Sequence, residues 1–272
     1  LEDYPSLPGI LELPCLAPYL IGLGRPEVQN ALQALMDAGK AAYEWGEIID
    51  GFEKWAPEQG HVNGAGGISK APFDVLGDTI RGTRAIMMDL YRKPDLVLKA
   101  LERLTPIMIK LGVSGPDHSD NPIVFMPLHK GADGFMSDEQ FKTFYWPSLK
   151  AVIMGIIEEG CIPFLFAEGG YESRLEYLNE LPKGRCVWMF DRTDMGRAKN
   201  IVGNTTCIAG NVPITKILSG TPEQVKDICK ELIDIAGKDG GYIMSSGCSM
   251  DEAKPVTLRA MIDFTKEYGV YK

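Results

Sequence analysis

The residues best placed for chemistry follow short apolar runs. Cys248 lies in Gly247-Cys248-Ser249, behind the run Tyr242 to Ser246 and ahead of a helix opened by Pro255. That pattern reads as a buried strand, a small-residue turn and a helix start. His129 follows the run Pro122–Leu128, Glu168 follows Ile162–Ala167, Asp191 follows Cys186–Phe190, and Asn211 follows Thr206–Gly210. A thiol, an imidazole and a carboxylate are zinc ligands, and the last two also move protons. Each also has a plainer reading. Cys248 is then a small buried thiol, Glu168 a solvated acid before Gly169-Gly170, and His129 a loop histidine. Asp191 and Asn211 then cap their loops.

Two further candidates precede these strands. Asp78 and Arg81 lie on a helical segment opened by Pro72, as a catalytic acid and a substrate-binding cation. Asp74, Asp78, Arg81 and Arg84 also fit a solvated helix face with ion pairs. His61 and His118 sit in polar loops and take no role. Trp45, Trp55, Trp146 and Trp188 are expected in packing.

The elements that must position these groups alternate. Pro26–Phe52 and Leu90–Leu111 read as helices, the second interrupted by Pro94 and Pro106, and His61–Gly67 as a short strand running into a Gly-rich loop. Between the apolar runs lie helical stretches at Asp138–Glu159, Glu172–Leu181, Met195–Val202, Thr221–Ala236 and Pro255–Tyr268. Asp138 and Thr221 are expected N-caps. Successive strand–helix units imply a parallel sheet with helical crossovers. No phosphate-binding glycine fingerprint follows any strand. An α/β fold of the (β/α)8 TIM-barrel type is expected, because a barrel aims every strand-end residue at one mouth.

The 272 residues are expected to form a single barrel domain. The net charge is -9, from 28 basic and 37 acidic residues, with no basic cluster, which speaks against nucleic acid. No apolar run has membrane-spanning length. The six cysteines are dispersed without a CxxC pair, as in a reduced, cytoplasmic protein. The chain opens at Leu1 without Met or a leader pattern, so the barrel is expected to lack its N-terminal part.

Ala71-Pro72-Phe73, Gly134-Phe135-Met136-Ser137 with Phe141 and Pro147, Gly210-Asn211-Val212-Pro213 and Gly247-Cys248-Ser249 together resemble the uroporphyrinogen decarboxylase superfamily. That superfamily includes zinc-dependent methylcobalamin:coenzyme M methyltransferases and related corrinoid-linked enzymes. The resemblance runs from about Ala71 to Tyr268 and implies a (β/α)8 barrel whose first strands precede this region. The decarboxylase branch has a tyrosine where Asp78 stands and a histidine where Cys248 stands. Its arginine-rich segment has no counterpart here, and an acid facing an octacarboxylate substrate is repulsive. The methyltransferase branch holds zinc with a His-x-Cys-Gly pattern and a later cysteine. Cys248 matches the later cysteine, whereas the first pattern reads Phe166-Ala167-Glu168-Gly169.

The expectation is therefore a zinc-dependent methyltransferase for a small thiol or methoxylated substrate. Cys248 and Glu168 would hold the metal with His129, which is placed by the residues and not by the resemblance. The corrinoid would sit on a partner protein, and a homodimer is an expected assembly. Catalytic roles fall to Glu168, Asp78 and Asp191, and substrate binding to His129, Asn211 and Arg81. Two alternatives stand: decarboxylation of a tetrapyrrole or other carboxylate with Asp78 or Glu168 as acid, and a non-catalytic binding module.

Overall fold

Short apolar strands and amphipathic helices alternate along the chain, and each strand can bury a face only against the helices that connect it to the next. The structure is a computed structural model that describes residues 17–61, 64–116 and 121–270. It divides into two compact units, residues 1–63 and 64–272. His118 and Cys15 lie outside the described residues.

In the first unit, helix α1 (Ala17–Ile21) leads through a turn to helix α2 (Pro26–Glu58). Pro26 occupies the first turn, where no N–H is needed. Trp45 and Trp55 on α2 are exposed and stand outside the packing expected of them. Trp146 and Trp188 are buried.

Among the described residues the second unit holds six parallel strands in sequential order. They are β1 (Gly67–Ile68), β2 (Ile123–Leu128), β3 (Ile162–Ala167), β4 (Val187–Phe190), β5 (Cys207–Ala209) and β6 (Tyr242–Ile243). Between β1 and β2 run α3 (Pro72–Val75), a π turn (Leu76–Ile80), α4 (Thr83–Arg92) and α5 (Pro94–Ser114). Between β2 and β3 come α6 (Asp138–Gln140), a second π turn (Phe141–Tyr145) and α7 (Trp146–Glu158). A 3-10 helix (Leu175–Glu180) separates β3 from β4, and α8 (Met195–Val202) separates β4 from β5. Then come α9 (Ile214–Ser219) and α10 (Pro222–Ala236), and after β6 α11 (Pro255–Tyr268). Sequential parallel order with helical crossovers is that of a (β/α)8 barrel, of which this unit holds six strands.

Register decides where the chemistry appears. Leu128 pairs with Ala167, and Ala167 with Phe190. The next residues, His129, Glu168 and Asp191, therefore leave the sheet side by side. Val124, Met126, Leu128, Leu165, Ala167, Trp188 and Phe190 are fully buried. Side chains alternate along a strand, so His129 shares the opposite face with Phe125, and Glu168 and Asp191 share it with Phe166 and Met189. Phe125 lies 6.5 Å from Phe166, ring centre to ring centre, on that face.

Local chemistry explains several boundaries. Thr221 accepts the Gln224 N–H and Gln224 returns the bond, a capping box that starts α10. Val225, Cys229, Leu232 and Ala236 form its buried stripe. The helix expected from Asp138 is capped by Ser137 instead, again through a capping box. It is interrupted by the π turn just ahead of Pro147, which has no N–H to continue the ladder. The stretch expected as a helix at Glu172–Leu181 is the 3-10 helix, and β6 is shorter than its apolar run. β1 packs so closely on α5 that a Cβ on Gly115 would strike the Gly66 carbonyl. No helix among the described residues is long and apolar enough to cross a membrane.

Candidate functional site

Asp78 stands on the first π turn, where the widened backbone turns it toward the end of β2. Its Oδ2 lies 2.5 Å from His129 Nδ1 and 2.8 Å from Lys70 Nζ, and its Oδ1 2.6 Å from Lys130 Nζ. Burial pushes this carboxyl up, but the bonds from Lys130, Lys70 and His129 outweigh it and hold it well below the usual carboxylate range. An ionised carboxylate only accepts, so Nδ1 carries the proton in that contact. The other ring nitrogen, Nε2, lies 3.6 Å from Glu168 Oε1. Asp78, His129 and Glu168 thus form a chain from a fixed anion to a half-exposed acid.

A second group lies further along the same strand ends. Asp191 accepts the Gly169 N–H at 3.0 Å and lies 3.5 Å from Arg192 Nε. Asn211 donates to the Thr193 carbonyl at 2.8 Å. Both therefore brace neighbouring loops, as their plainer reading holds, and both line a cavity of about 550 Å³ with Cys248 and Gly247. Its far wall is the apolar side of α10, with Ile228, Leu232 and Ile235. Burial raises the Cys248 thiol above its ordinary value, and the Asp191 charge adds to this.

Zinc needs three protein ligands and an open position at a catalytic site. His129 Nε2 and Glu168 supply two adjacent donors, but among the described residues no group of three or more His, Cys, Asp or Glu side chains is placed to hold a metal ion. The expected set of Cys248, Glu168 and His129 is not assembled. Cys248 lines the cavity beside Asp191.

The sequence profile of Uroporphyrinogen decarboxylase (URO-D) matches residues 27–268. The chain belongs to the URO-D family. Among solved structures, a methyltransferase from Methanosarcina mazei shares the URO-D fold of this chain with a TM-score of 0.64 at 16% identity. The alignment covers 75% of this chain and 58% of that one, so this URO-D chain spans little more than half of that methyltransferase. No curated protein matches the sequence.

Some expected members of the URO-D site lie elsewhere. Arg81 turns away to Asp89, with Nε 2.5 Å and Nη2 3.2 Å from the two carboxylate oxygens. Asp74 is not on a solvated face, because it is fully buried. Burial raises its carboxyl to about 6, against the bonds it accepts from His129, Tyr145 and Lys130. Lys130 and Arg174 were not singled out by sequence. Arg174, 1% exposed, bonds Asp138 at 2.8 Å and the Met136 carbonyl at 2.6 Å, and its guanidinium stacks 4.5 Å from the Phe141 ring. It thereby pins the loop after β2 that carries Gly134-Phe135-Met136-Ser137. An arginine soon after the Gly169-Gly170 turn was the one available signal for it.

Proposed function

We propose that this URO-D family chain is a methyltransferase acting on a small thiol or hydroxyl compound, with His129 as the base that frees the nucleophile. The observation that supports it is the Asp78–His129 contact at 2.5 Å, which leaves Nε2 directed toward Glu168. Asp78 fixes the Nδ1 proton, so Nε2 is the basic end of the ring. A substrate X–H between His129 and Glu168 gives its proton to Nε2, and the imidazolium that forms is stabilised by Asp78. Glu168 orients the substrate by accepting a second hydrogen bond where one is available. A corrinoid on a partner protein would supply the methyl group to X; in the reverse direction a reduced corrinoid would take the methyl of a methoxylated substrate while protonated His129 returns a proton to the leaving oxygen. The cavity beside Cys248, Asp191 and Asn211 takes the substrate body. Cys186, Cys207, Cys229 and Cys248 are not joined in disulfides, which suits a cytoplasmic setting.

Decarboxylation is the competing proposal, since it gives the family its description. Asp78 is a poor proton donor for it, being held ionised by Lys130, Lys70 and His129. That chemistry would fall to Glu168 or a protonated His129. Zinc at this site is a separate proposal with its own measurement, the metal content of the purified chain and of Cys248→Ser. One ion per chain that disappears in the variant would replace His129 as the activating group with a metal centre.

The purified chain is incubated with methylcobalamin and a panel of small thiols and phenols, and separately with uroporphyrinogen. Loss of the methylcobalamin spectrum with formation of a methylated product is expected. Carbon dioxide release from uroporphyrinogen without methyl transfer would contradict the proposal. Turnover of neither would leave the binding module.

A further inference from the structure

Asp74 and Asp78 are four residues apart and project from one face of the segment that runs from α3 into the π turn. They grip the same two residues in different ways. Asp74 Oδ2 accepts the His129 backbone N–H at 3.0 Å, and Oδ1 accepts the Lys130 N–H at 2.9 Å. Asp78 takes the side chains of the same pair, His129 Nδ1 at 2.5 Å and Lys130 Nζ at 2.6 Å. One carboxylate fixes the backbone at the exit of β2, and the other fixes the side chains that leave it.

From this double grip we propose that Asp74 is the positioning residue of His129, setting the direction in which its ring leaves the strand. The proposal rests on the reading of His129 as the base and names what holds that base in place. Two consecutive N–H groups bonded to the two oxygens of one carboxylate leave the His129 Cβ little freedom to swing. A third bond, from Tyr145 Oη at 2.8 Å, fixes the carboxylate itself to the second π turn. Three donors meet one acceptor group, an arrangement that an amide cannot copy because its NH2 donates. Asp74 is 0% exposed, and its three bonds offset part of the cost of burying a carboxylate. Asp74 holds the backbone of His129 and Asp78 its ring, which separates the two roles.

The test reads the ring and not turnover, so it can fail independently of the methyl-transfer proposal. The chain has three histidines, and 15N-histidine NMR at pH 8.5 resolves them, with His129→Gln assigning the signal. In the wild-type chain the His129 proton is expected on Nδ1. In Asp74→Asn, shown to be folded by circular dichroism, the Nδ1-protonated fraction is expected to fall to about half or less, toward the free-imidazole mixture. Tyr145→Phe, which keeps both backbone bonds, is expected to leave the tautomer unchanged although it loses a buried hydrogen bond. An unaltered His129 signal in folded Asp74→Asn would overturn the proposal. If that variant does not fold, the amide protons of His129 and Lys130 in the wild-type chain decide. Both are expected far downfield, as charge-assisted donors, and ordinary shifts would overturn it.

Discussion

At the scale of single residues, two buried or partly buried carboxylates with opposite tendencies sit one helical turn apart. Asp78 is pulled down by three cationic or hydrogen-bonding partners, whereas Asp74 is pushed up to about 6 by burial. For Asp74, the folded chain binds the proton more tightly than the unfolded chain, whose ordinary value is 3.8. Its contribution to stability is therefore full below pH 3.8 and is lost as pH rises through about 6. For Asp78 the sign reverses: its contribution is present above the ordinary value and is lost as pH falls through the depressed one. Of these two carboxylates only Asp74 titrates between pH 4 and pH 7, so wild-type stability relative to Asp74→Asn is expected to decline across that window by up to about 3 kcal/mol. Urea midpoints of both proteins at the two pH values check this, and parallel curves would refute it. Cys248 gives a second residue-scale prediction. With its thiol value raised, alkylation by iodoacetamide is expected to be slow at pH 7 and to accelerate beyond pH 9, followed by mass spectrometry.

At the scale of elements, the strand ends were legible and the turns between them were not. His129, Glu168 and Asp191 could be placed on one edge because each follows an apolar run, and the register of β2, β3 and β4 puts them level. Thr221 was readable as a cap because its partner Gln224 is local. Asp74 was misplaced on a solvated face because its partners are two backbone N–H groups 55 and 56 residues away and the Tyr145 hydroxyl 71 residues away, which no local side-chain pattern reveals. Arg81 pairs not with its i,i+3 neighbour Asp78 but with Asp89, eight residues on in the next helix, which turns it away from His129. The two π turns were unreadable because they respond to tertiary packing, yet one of them carries Asp78. Arg174 binds the β2 and β3 loops to each other while nearly fully buried. Arg174→Ala leaves Asp138 and the Met136 carbonyl without it and empties a ring-stacking site. A loss of about 2–3 kcal/mol is expected by chemical denaturation, since Asp138 stays solvated while the packing and the Met136 bond are lost, and Arg174→Lys should recover little of it, since one ammonium cannot copy the planar fork.

At the scale of the whole molecule, family membership, the parallel sheet and the strand-end site agree with one another. The fold alone hosts more than one chemistry, and the choice among them lies in the rim. The resemblance pointed to Cys248 and Glu168 as zinc ligands and the residues added His129, but among the described residues no group of three such side chains is placed to hold a metal ion. What the sequence did not convey was that His129 has a carboxylate partner of its own 51 residues earlier. Stability is also unevenly spread over the sheet. β2 and β3 pair along six residues, whereas β6 pairs along two with β5. Hydrogen exchange is expected to be slowest in β2 to β4 and much faster in β1 and β6, measured by mass spectrometry on native protein.

The most direct measurement is the initial rate of methyl transfer from methylcobalamin to the best thiol or phenol substrate, for wild-type and His129→Gln proteins of equal folded content. A fall of about 100-fold or more is expected when the base is removed, with Asp78→Asn falling less steeply and Cys248→Ser retaining most of the rate. Equal rates for wild type and His129→Gln would contradict the role given to His129, and loss of activity together with bound zinc in Cys248→Ser would place the chemistry on a metal instead.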